Sequence, residues 1–571
     1  MRFVALATDY DGTLAKDGRV DEPTIEALRR LRRTGRRAIL VTGRTLGSLR
    51  DEFPCLGEFD AIVAENGGTL YNPATSSERL LATAPPEALV NLLLERTRLP
   101  MEVGHVIIAT SQIEKQLVLE SIQELGLEMH IIFNKGSLMI LPSGVNKATG
   151  LVAGLKALGL SLHNVAAIGD AENDHALLAA CEFSAAVANA LPTVKERVRL
   201  VTKQGYGPGV VELIDEMIED DLARHHARLG EPILIGKDRD DRGINVAACG
   251  IKLVCGPSGA GKSTFTTSLL ESLCLAGYQF CAIDAEGDYE QFPNAVVFGN
   301  AAHVPAISEI VKGLSTPGQN VIVNLLGLEY EQRPAMFQTL FSHLAELRHK
   351  TGRPHCLILD EAHHFIQEGA ASSASYLEAY SNDPASGLTL ITVNPERLPA
   401  GALAKTDLVV VGGQEPQETL KAFCSHAGLQ CPDGVPGRMG EKEMLGWCPR
   451  DGAPFVFSTL STEVMRVRHR RKYAEGELAP DRSFYFRGPA GKLNLRAYNL
   501  ITFMNMMSGV DDDTWLFHLN NGDYSEWFRK QIKDEELAQL TIALESTPNL
   551  SAAESRAKLH HIIRERYTLP Q

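Results

Sequence analysis

Short apolar runs that stop abruptly at an acid, a glycine or a hydroxyl recur along this chain, with amphipathic helical stretches between them. FVALAT is followed by TIEALRRLRRTG, then AILVTG, then AIVAENG. A strand without a polar face is buried on both sides, and strands that alternate with helices build a mainly parallel sheet. The pattern breaks near Gly230, at the charged helical stretch ELIDEMIEDDLARHHARLGEP. It resumes with ILIGK, IKLVCG, FCAIDAE, NVIVNLLG, HCLILDE and LTLITVN. A chain of 571 residues is too long for one core. Two α/β domains are therefore expected, residues 1–229 and 230–460. A third region, 461–571, opens with the basic run RVRHRRKYAEG, passes through an aromatic-rich stretch and closes in mostly helical sequence.

The bulk numbers exclude several classes. Hydrophobic residues at 44% and charged residues at 22% are ordinary for a globular protein. No apolar run approaches the roughly 18 residues of a membrane span. The N-terminus reads straight into a strand rather than a secretory signal. Ten scattered cysteines without a CxxC pair suggest neither a zinc site nor a disulfide framework, so a cytoplasmic location is expected. A net charge of −15 disfavours a surface coated for nucleic acid, while leaving room for a local basic channel.

Chemistry concentrates at strand ends. TDYDGTL delivers Asp9 and Asp11 at the end of the first apolar strand, two residues apart and so on the same side of an extended backbone. That end of an open α/β sheet is where ligands bind. One carboxylate there can attack while the other serves as acid and base. AILVTGRT places Thr42 at another strand end, and GVNKATG places Lys147 at a helix start. A hydroxyl and an ammonium are the groups that would stabilise a phosphoryl group in transfer. AAIGDAENDHALL brings Asp170 to a further strand end, with Asp174 one turn on. Hard oxygen ligands of this kind suit Mg²⁺.

Together these residues resemble the haloacid dehalogenase (HAD) phosphatases, whose motifs D-x-D-G-T, Ser/Thr, Lys and G-D-x-x-x-D all occur here in order. The resemblance implies Asp9 as nucleophile and Asp11 as general acid/base, with Thr42 and Lys147 holding the phosphoryl oxygens. It further implies Mg²⁺ bound by Asp9, Asp170, Asp174 and the backbone carbonyl of Asp11. Residues from about 83 to 141 look like the inserted α/β cap of the Cof-like members, which include phosphoglycolate and sugar-phosphate phosphatases.

The second domain opens with KLVCGPSGAGKSTF, a G-x-x-x-x-G-K-[ST] loop between an apolar strand and a helix. Backbone N–H groups of Gly256, Ser258, Gly259, Ala260 and Gly261, continuing into Thr264, are expected to wrap the phosphates of ATP. Lys262 would reach the β/γ oxygens and Ser263 would ligate Mg²⁺. HCLILDEAHH adds Asp360 for the metal and Glu361 to orient a water. Asp284, Glu286 and Asn394, at other strand ends, suit either γ-phosphate sensing or turn chemistry. The set resembles the HerA–FtsK superfamily of ring-forming ATPases, which implies a homo-oligomer completed by a neighbour's arginine; Arg348, Arg353 and Arg397 are candidates.

In the third region, Arg466, Arg468, Arg470, Arg471 and Lys472 lie beside Tyr473. They suit a phosphate or nucleic-acid contact with Tyr485, Phe486 and Trp515 as stacking groups, or a solvated turn beside a small aromatic core; the latter is expected. The whole suggests a phosphatase for a small phosphorylated metabolite joined to a motor-like or regulatory ATPase. The alternatives are a kinase-phosphatase that trims nucleic-acid ends, a DNA-translocating ATPase with an accessory phosphatase, and a nucleotide-gated switch. Nucleic acid is not favoured as partner and a membrane is not expected.

Overall fold

The computed structural model describes the chain except residues 135, 229–231, 367–386, 441, 451, 461–477, 479–481, 490, 533, 549 and 568–571. The basic run from Arg466 to Tyr473 lies outside the described residues. The chain divides into two compact units, one of Met1–Glu290 with Asn294–Leu460, the other of Gln291–Pro293 with Ser461–Gln571. The expected α/β class holds for the first unit, and the second is small and mostly helical.

The first unit contains two large sheets. One is ordered β12-β11-β10-β1-β2-β3-β4-β5. Its strands are β1 (Ala5–Thr8), β2 (Arg37–Val41), β3 (Ala61–Ala64), β4 (Thr69–Asn72) and β5 (Ser77–Leu80), then β10 (Val165–Gly169), β11 (Phe183–Ala186) and β12 (Leu200–Val201). From β12 to β3 all pairings are parallel, while β4 and β5 add an antiparallel edge. Every residue of β1, β3, β10 and β11 is buried, as strands covered on both faces require. Helix Glu22–Arg33 shows how the covering layers form: Asp21 caps it by accepting from the Thr24 N–H, and Ile25, Leu28 and Leu31 face the core.

Between β5 and β10 the chain leaves this sheet and builds a four-stranded antiparallel one, ordered β6-β7-β9-β8. These strands are β6 (Glu102–Val103), β7 (Ile108–Ser111), β8 (Met129–Asn134) and β9 (Ser137–Pro142). Helices Glu87–Arg96 and Lys115–Glu124 pack on it through Leu89, Leu93, Val118 and Ile122, giving the insertion a small core of its own.

The second large sheet is ordered β14-β13-β23-β22-β21-β15-β20-β19-β16-β18-β17. It comprises β13 (Pro232–Lys237), β14 (Gly243–Ala247), β15 (Gly250–Cys255), β16 (Phe280–Asp284), β17 (Ala295–Phe298), β18 (Asn320–Asn324), β19 (Cys356–Leu359), β20 (Gly387–Thr392), β21 (Leu408–Gly412), β22 (Glu443–Trp447) and β23 (Phe455–Thr459). From β21 to β17 the sheet is parallel; β22, β23, β13 and β14 extend one edge antiparallel.

In the second unit a hairpin of β24 (Phe484–Phe486) and β25 (Leu495–Ala497) packs among helices around Phe484, Phe486, Phe503, Trp515, Tyr524 and Trp527. Of the candidate stacking groups, Phe486 and Trp515 are fully buried. Trp515 stacks on Tyr524 at 4.5 Å and donates its indole N–H to Ser555. Both belong to a core, as expected of aromatics at this spacing, and not to a base-stacking platform. Tyr485 is half-buried beneath the Arg487 guanidinium.

Candidate active sites

β1 and β10 lie side by side and run parallel, so their C-terminal ends bring Asp9 and Asp170 together. Asp174 sits in the short turn that follows Asp170, and its Oδ2 accepts from the backbone N–H groups of Asp170 (2.9 Å) and Ala171 (3.0 Å). Lys147, the first residue of helix Lys147–Leu158, donates to Asp9 Oδ1 (2.5 Å) and Asp174 Oδ1 (2.7 Å). Asn146 caps that helix in a capping box with Thr149, which fixes where it begins. Ligand atoms of Asp9, Asp170 and Asp174 all lie within 4.8 Å of one another.

Three buried carboxylates and one buried ammonium leave an excess of negative charge. Burial, then the Asp174 charge, push the carboxyl of Asp9 up to about 8, while Lys147 pulls against them and Asp170 adds to the rise. Burial disfavours the charge on Lys147, yet Asp174 and Asp9 together hold its pKa above the usual lysine value. A hard divalent cation would relieve the remaining repulsion, and three carboxylate oxygens at this spacing fit one.

Thr42 is fully buried at the end of β2, adjacent to β1. The Asp11 carboxylate is not in the acid group. It accepts a two-pronged bond from Arg44, Nε to Oδ2 at 2.6 Å and Nη2 to Oδ1 at 2.8 Å. Arg44 also pairs with Glu52 at 2.6 Å and lies over the Tyr10 ring. Sequence reading missed Arg44, although it stands two residues after Thr42; nothing local announces its partner 33 positions away. The insertion reaches this end of the sheet. Thr45 donates to Glu102 of β6, and a Cβ on Gly43 would lie 2.7 Å from Met139 Cε of β9.

The second site lies where β15, β20 and β19 end side by side. The loop after β15 turns at Gly256, Gly259 and Gly261, all with positive φ, and enters helix Lys262–Leu275. Ser258 is exposed and Ala260 half-buried in this loop, with Ser263 and Thr264 half-buried in the helix's first turn. Lys262 folds back to donate to the carbonyls of Gly256 (3.0 Å) and Pro257 (3.1 Å), and burial lowers its pKa against the opposing charges of Glu361 and Asp360. Asp360 is buried after β19. Glu361 follows at φ +47°, a left-handed conformation that is uncommon for glutamate and clusters at functional sites. Its Oε2 is buried without a hydrogen bond, 3.4 Å from His363 Nδ1, and burial raises its carboxyl pKa despite Lys262 nearby. His363 also meets Thr392 Oγ1 at the end of β20 (3.0 Å), linking the acid turn to the strand between it and the loop.

The remaining candidates separate clearly. The Asp284 carboxylate accepts from the N–H groups of Glu286, Asp288 and Tyr289, so it builds its own turn. The Asn394 N–H donates to Thr392 Oγ1. Arg348 and Arg353 are buried, donating to carbonyls within the chain, and cannot reach a neighbour's site. Arg397 is exposed.

Fold and site define an α/β hydrolase with an acid cluster at its strand ends, joined to a P-loop nucleotide-binding domain. The haloacid dehalogenase-like hydrolase family matches residues 6–101 and 94–214, and an AAA domain family matches 246–398. The phosphoglycolate phosphatase of Methanosarcina acetivorans is 31% identical over 222 residues, covering 38% of this chain and 96% of the relative. That of Methanothermobacter thermautotrophicus is 29% identical over 218 residues, covering 37% and 96%. A crystal structure of a haloacid dehalogenase-like hydrolase from Bacteroides thetaiotaomicron aligns with a TM-score of 0.33 at 21% identity, covering 38% of this chain and 99% of that one. Through its first domain the chain belongs to the haloacid dehalogenase-like hydrolases, and a distinct AAA-type ATPase domain is fused behind it.

Proposed function

We propose that the first domain is a magnesium-dependent phosphomonoester hydrolase that works through a phospho-aspartate on Asp9, with a small phosphorylated metabolite as substrate. The observation that carries this reading is the buried group of Asp9, Asp170, Asp174 and Lys147 at the strand ends. Asp9 attacks phosphorus as the bond to the leaving oxygen breaks, and Asp11 gives that oxygen its proton. Asp11 then takes a proton from the water that cleaves the acyl phosphate, releasing phosphate and Asp9. Thr42 and Lys147 hold the phosphoryl oxygens. Asp9, Asp170, Asp174 and the carbonyl of Asp11 would hold Mg²⁺, which supplies positive charge against the substrate's own. Arg44 takes one lone pair on each Asp11 oxygen, which leaves the others to meet a leaving group.

An inserted sheet with two helices, its β6 and β9 residues Glu102 and Met139 beside the site, favours small substrates over polymers. We read it as a Cof-type cap. The relatives are named phosphoglycolate phosphatases, which makes 2-phosphoglycolate the first substrate to try.

For the second domain we infer Mg-ATP binding by the 256–264 loop, with Ser263 and Asp360 on the ion and Glu361 orienting the attacking water. Its turnover regulates or couples to the phosphatase, and Arg397 is the candidate for completing a neighbour's site in a ring.

The deciding experiment is a panel of 2-phosphoglycolate, sugar phosphates and 3′-phosphorylated oligonucleotides, given to wild type and Asp9→Asn with and without Mg²⁺. We expect Mg-dependent release of phosphate from the small esters and its loss in the variant. Full activity in folded Asp9→Asn would end the phospho-aspartate assignment.

A further inference from the structure

Glu65, Asn66 and Gly67 follow β3 with positive φ in succession, +51°, +53° and +106°. Asparagine and glycine tolerate such angles, but glutamate needs something to hold it there. The Glu65 carboxylate is buried, and it accepts from three consecutive backbone N–H groups of the inserted domain, His105 (3.1 Å), Val106 (2.7 Å) and Ile107 (3.1 Å). On the other side, a Cβ on Gly67 would fall 2.0 Å from the Asn146 carbonyl oxygen and 3.3 Å from the Lys147 nitrogen. The turn is therefore pressed against the start of the helix that carries Lys147.

Asn66 stands in the middle. Its backbone N–H donates to the Thr42 carbonyl (2.9 Å), and its side-chain Oδ1 accepts from Asn173 Nδ2 (3.3 Å), the residue before Asp174. One turn thus touches the cap and all three stretches that supply Thr42, Lys147 and Asp174. At its centre two atoms lack a hydrogen-bond partner, Asn66 Nδ2 and Asn173 Oδ1, on residues 0% and 6% exposed. A Cβ on Gly43 would lie 3.7 Å from Asn173 Nδ2 and 2.7 Å from Met139 Cε of β9, so the Asn173 amide lies close to the residue after Thr42 and to the cap. A need for left-handed backbone explains asparagine at position 66. It does not explain a buried amide left without an acceptor, which is costly unless a ligand supplies one.

We propose that Asn66 is a substrate-binding residue of the hydrolase site, its side-chain N–H donating to an oxygen of the bound phosphoryl group. This rests on the phosphatase reading above. The acceptor it takes is a phosphate ester or free phosphate, held beside Thr42 and Lys147.

The test is calorimetric titration of inorganic phosphate, with Mg²⁺, into wild type, Asn66→Gly and Asn66→Asp, together with thermal melts. Glycine removes the amide and keeps the left-handed turn unstrained. We expect Asn66→Gly to bind phosphate roughly tenfold more weakly, the worth of one hydrogen bond to a charged group, with its melting point within a few degrees of wild type. Asn66→Asp, which sets an acceptor against phosphate, should weaken binding further. Unchanged phosphate affinity in folded Asn66→Gly overturns the proposal, and if that variant does not fold, unchanged affinity in Asn66→Asp does so. Absence of ester hydrolysis by wild type would remove the phosphatase reading alone, because the titration still reports on Asn66. A wild type that hydrolyses the esters yet binds no phosphate would overturn the Asn66 proposal and leave the phosphatase reading standing.

Discussion

In chelator, Asp9 is expected to keep its proton above the pH at which an aspartate in the unfolded chain loses it. Burial is the main cause, Asp174 and Asp170 add to it, and Lys147 only partly offsets them, leaving the carboxyl at about 8. The folded value is raised, so its stabilising contribution is complete below about pH 4 and drains away as pH rises toward about 8. Ion binding needs the carboxylate ionised, so added Mg²⁺ should stabilise more at the upper end of that window. We expect the metal-free melting point of Asp9→Asn to exceed that of wild type by a margin that grows by several degrees between about pH 5 and about pH 8. The Mg²⁺-induced rise of wild type should grow over the same range. Scanning calorimetry in chelator and in Mg²⁺ measures both, and a margin independent of pH would show that Asp9 is not held protonated.

At the level of strands, turns and loops, β15 and its loop give the most direct prediction. Gly256 has φ +141°, and a Cβ there would lie 2.4 Å from the Gly412 carbonyl oxygen at the end of β21. That atom is backbone in a fully buried strand and cannot step aside. Gly256→Ala should abolish binding of a fluorescent ATP analogue while Asp9-dependent hydrolysis persists; nucleotide binding near wild-type strength would contradict this placement of the loop. The loop was legible because its chemistry is local: glycines, Lys262 and Ser263 are all within one strand-to-helix turn. The strands carrying Asp9, Thr42, Asp170 and Asp360 were legible for the same reason, as apolar runs ending in a polar group. What sequence could not give are partners set by packing. Arg44 finds Asp11 across 33 positions and Glu65 finds the cap N–H groups about 40 positions on. Arg348 and Arg353 looked available for a neighbour because burial is invisible in a sequence. Asp284 stayed open between sensor and turn because Asx-type turns and strand-end ligands share the same residues, and only its hydrogen bonds to the turn N–H groups show the turn role.

Across the larger unit, the hydrolase and P-loop domains meet at a buried polar joint. Asn164, just before β10, donates to the carbonyls of Arg2 (3.0 Å) and Gly352 (3.2 Å), and its Oδ1 meets His355 Nε2 (3.2 Å) just before β19. Arg353 donates to the Gly159 carbonyl (2.8 Å), and Tyr278 stacks on His163 with ring centres 3.9 Å apart. Burial, reinforced by the nearby His163, pushes His355 well below the usual histidine value, so it sits there neutral. β10 and β19 both start at this joint and reach Asp170 and Asp360 only at their far ends, about 20 Å along a strand. Coupling between the two sites can therefore run through these strands and the joint. Partners this thoroughly desolvated are expensive to separate, so the two domains should open together. If they do, Mg-ATP at about 100 times its Kd stabilises the whole unit by about 2.7 kcal/mol, although it contacts one domain alone. Hydrogen exchange tests this at Ala167 and Ile168 of β10, which lie in the hydrolase core. Their protection should rise on the order of 100-fold with Mg-ATP in wild type, and the gain should fall away in Asn164→Ala/His355→Ala. Exchange at β10 that ignores ATP in wild type would mean that the joint transmits nothing.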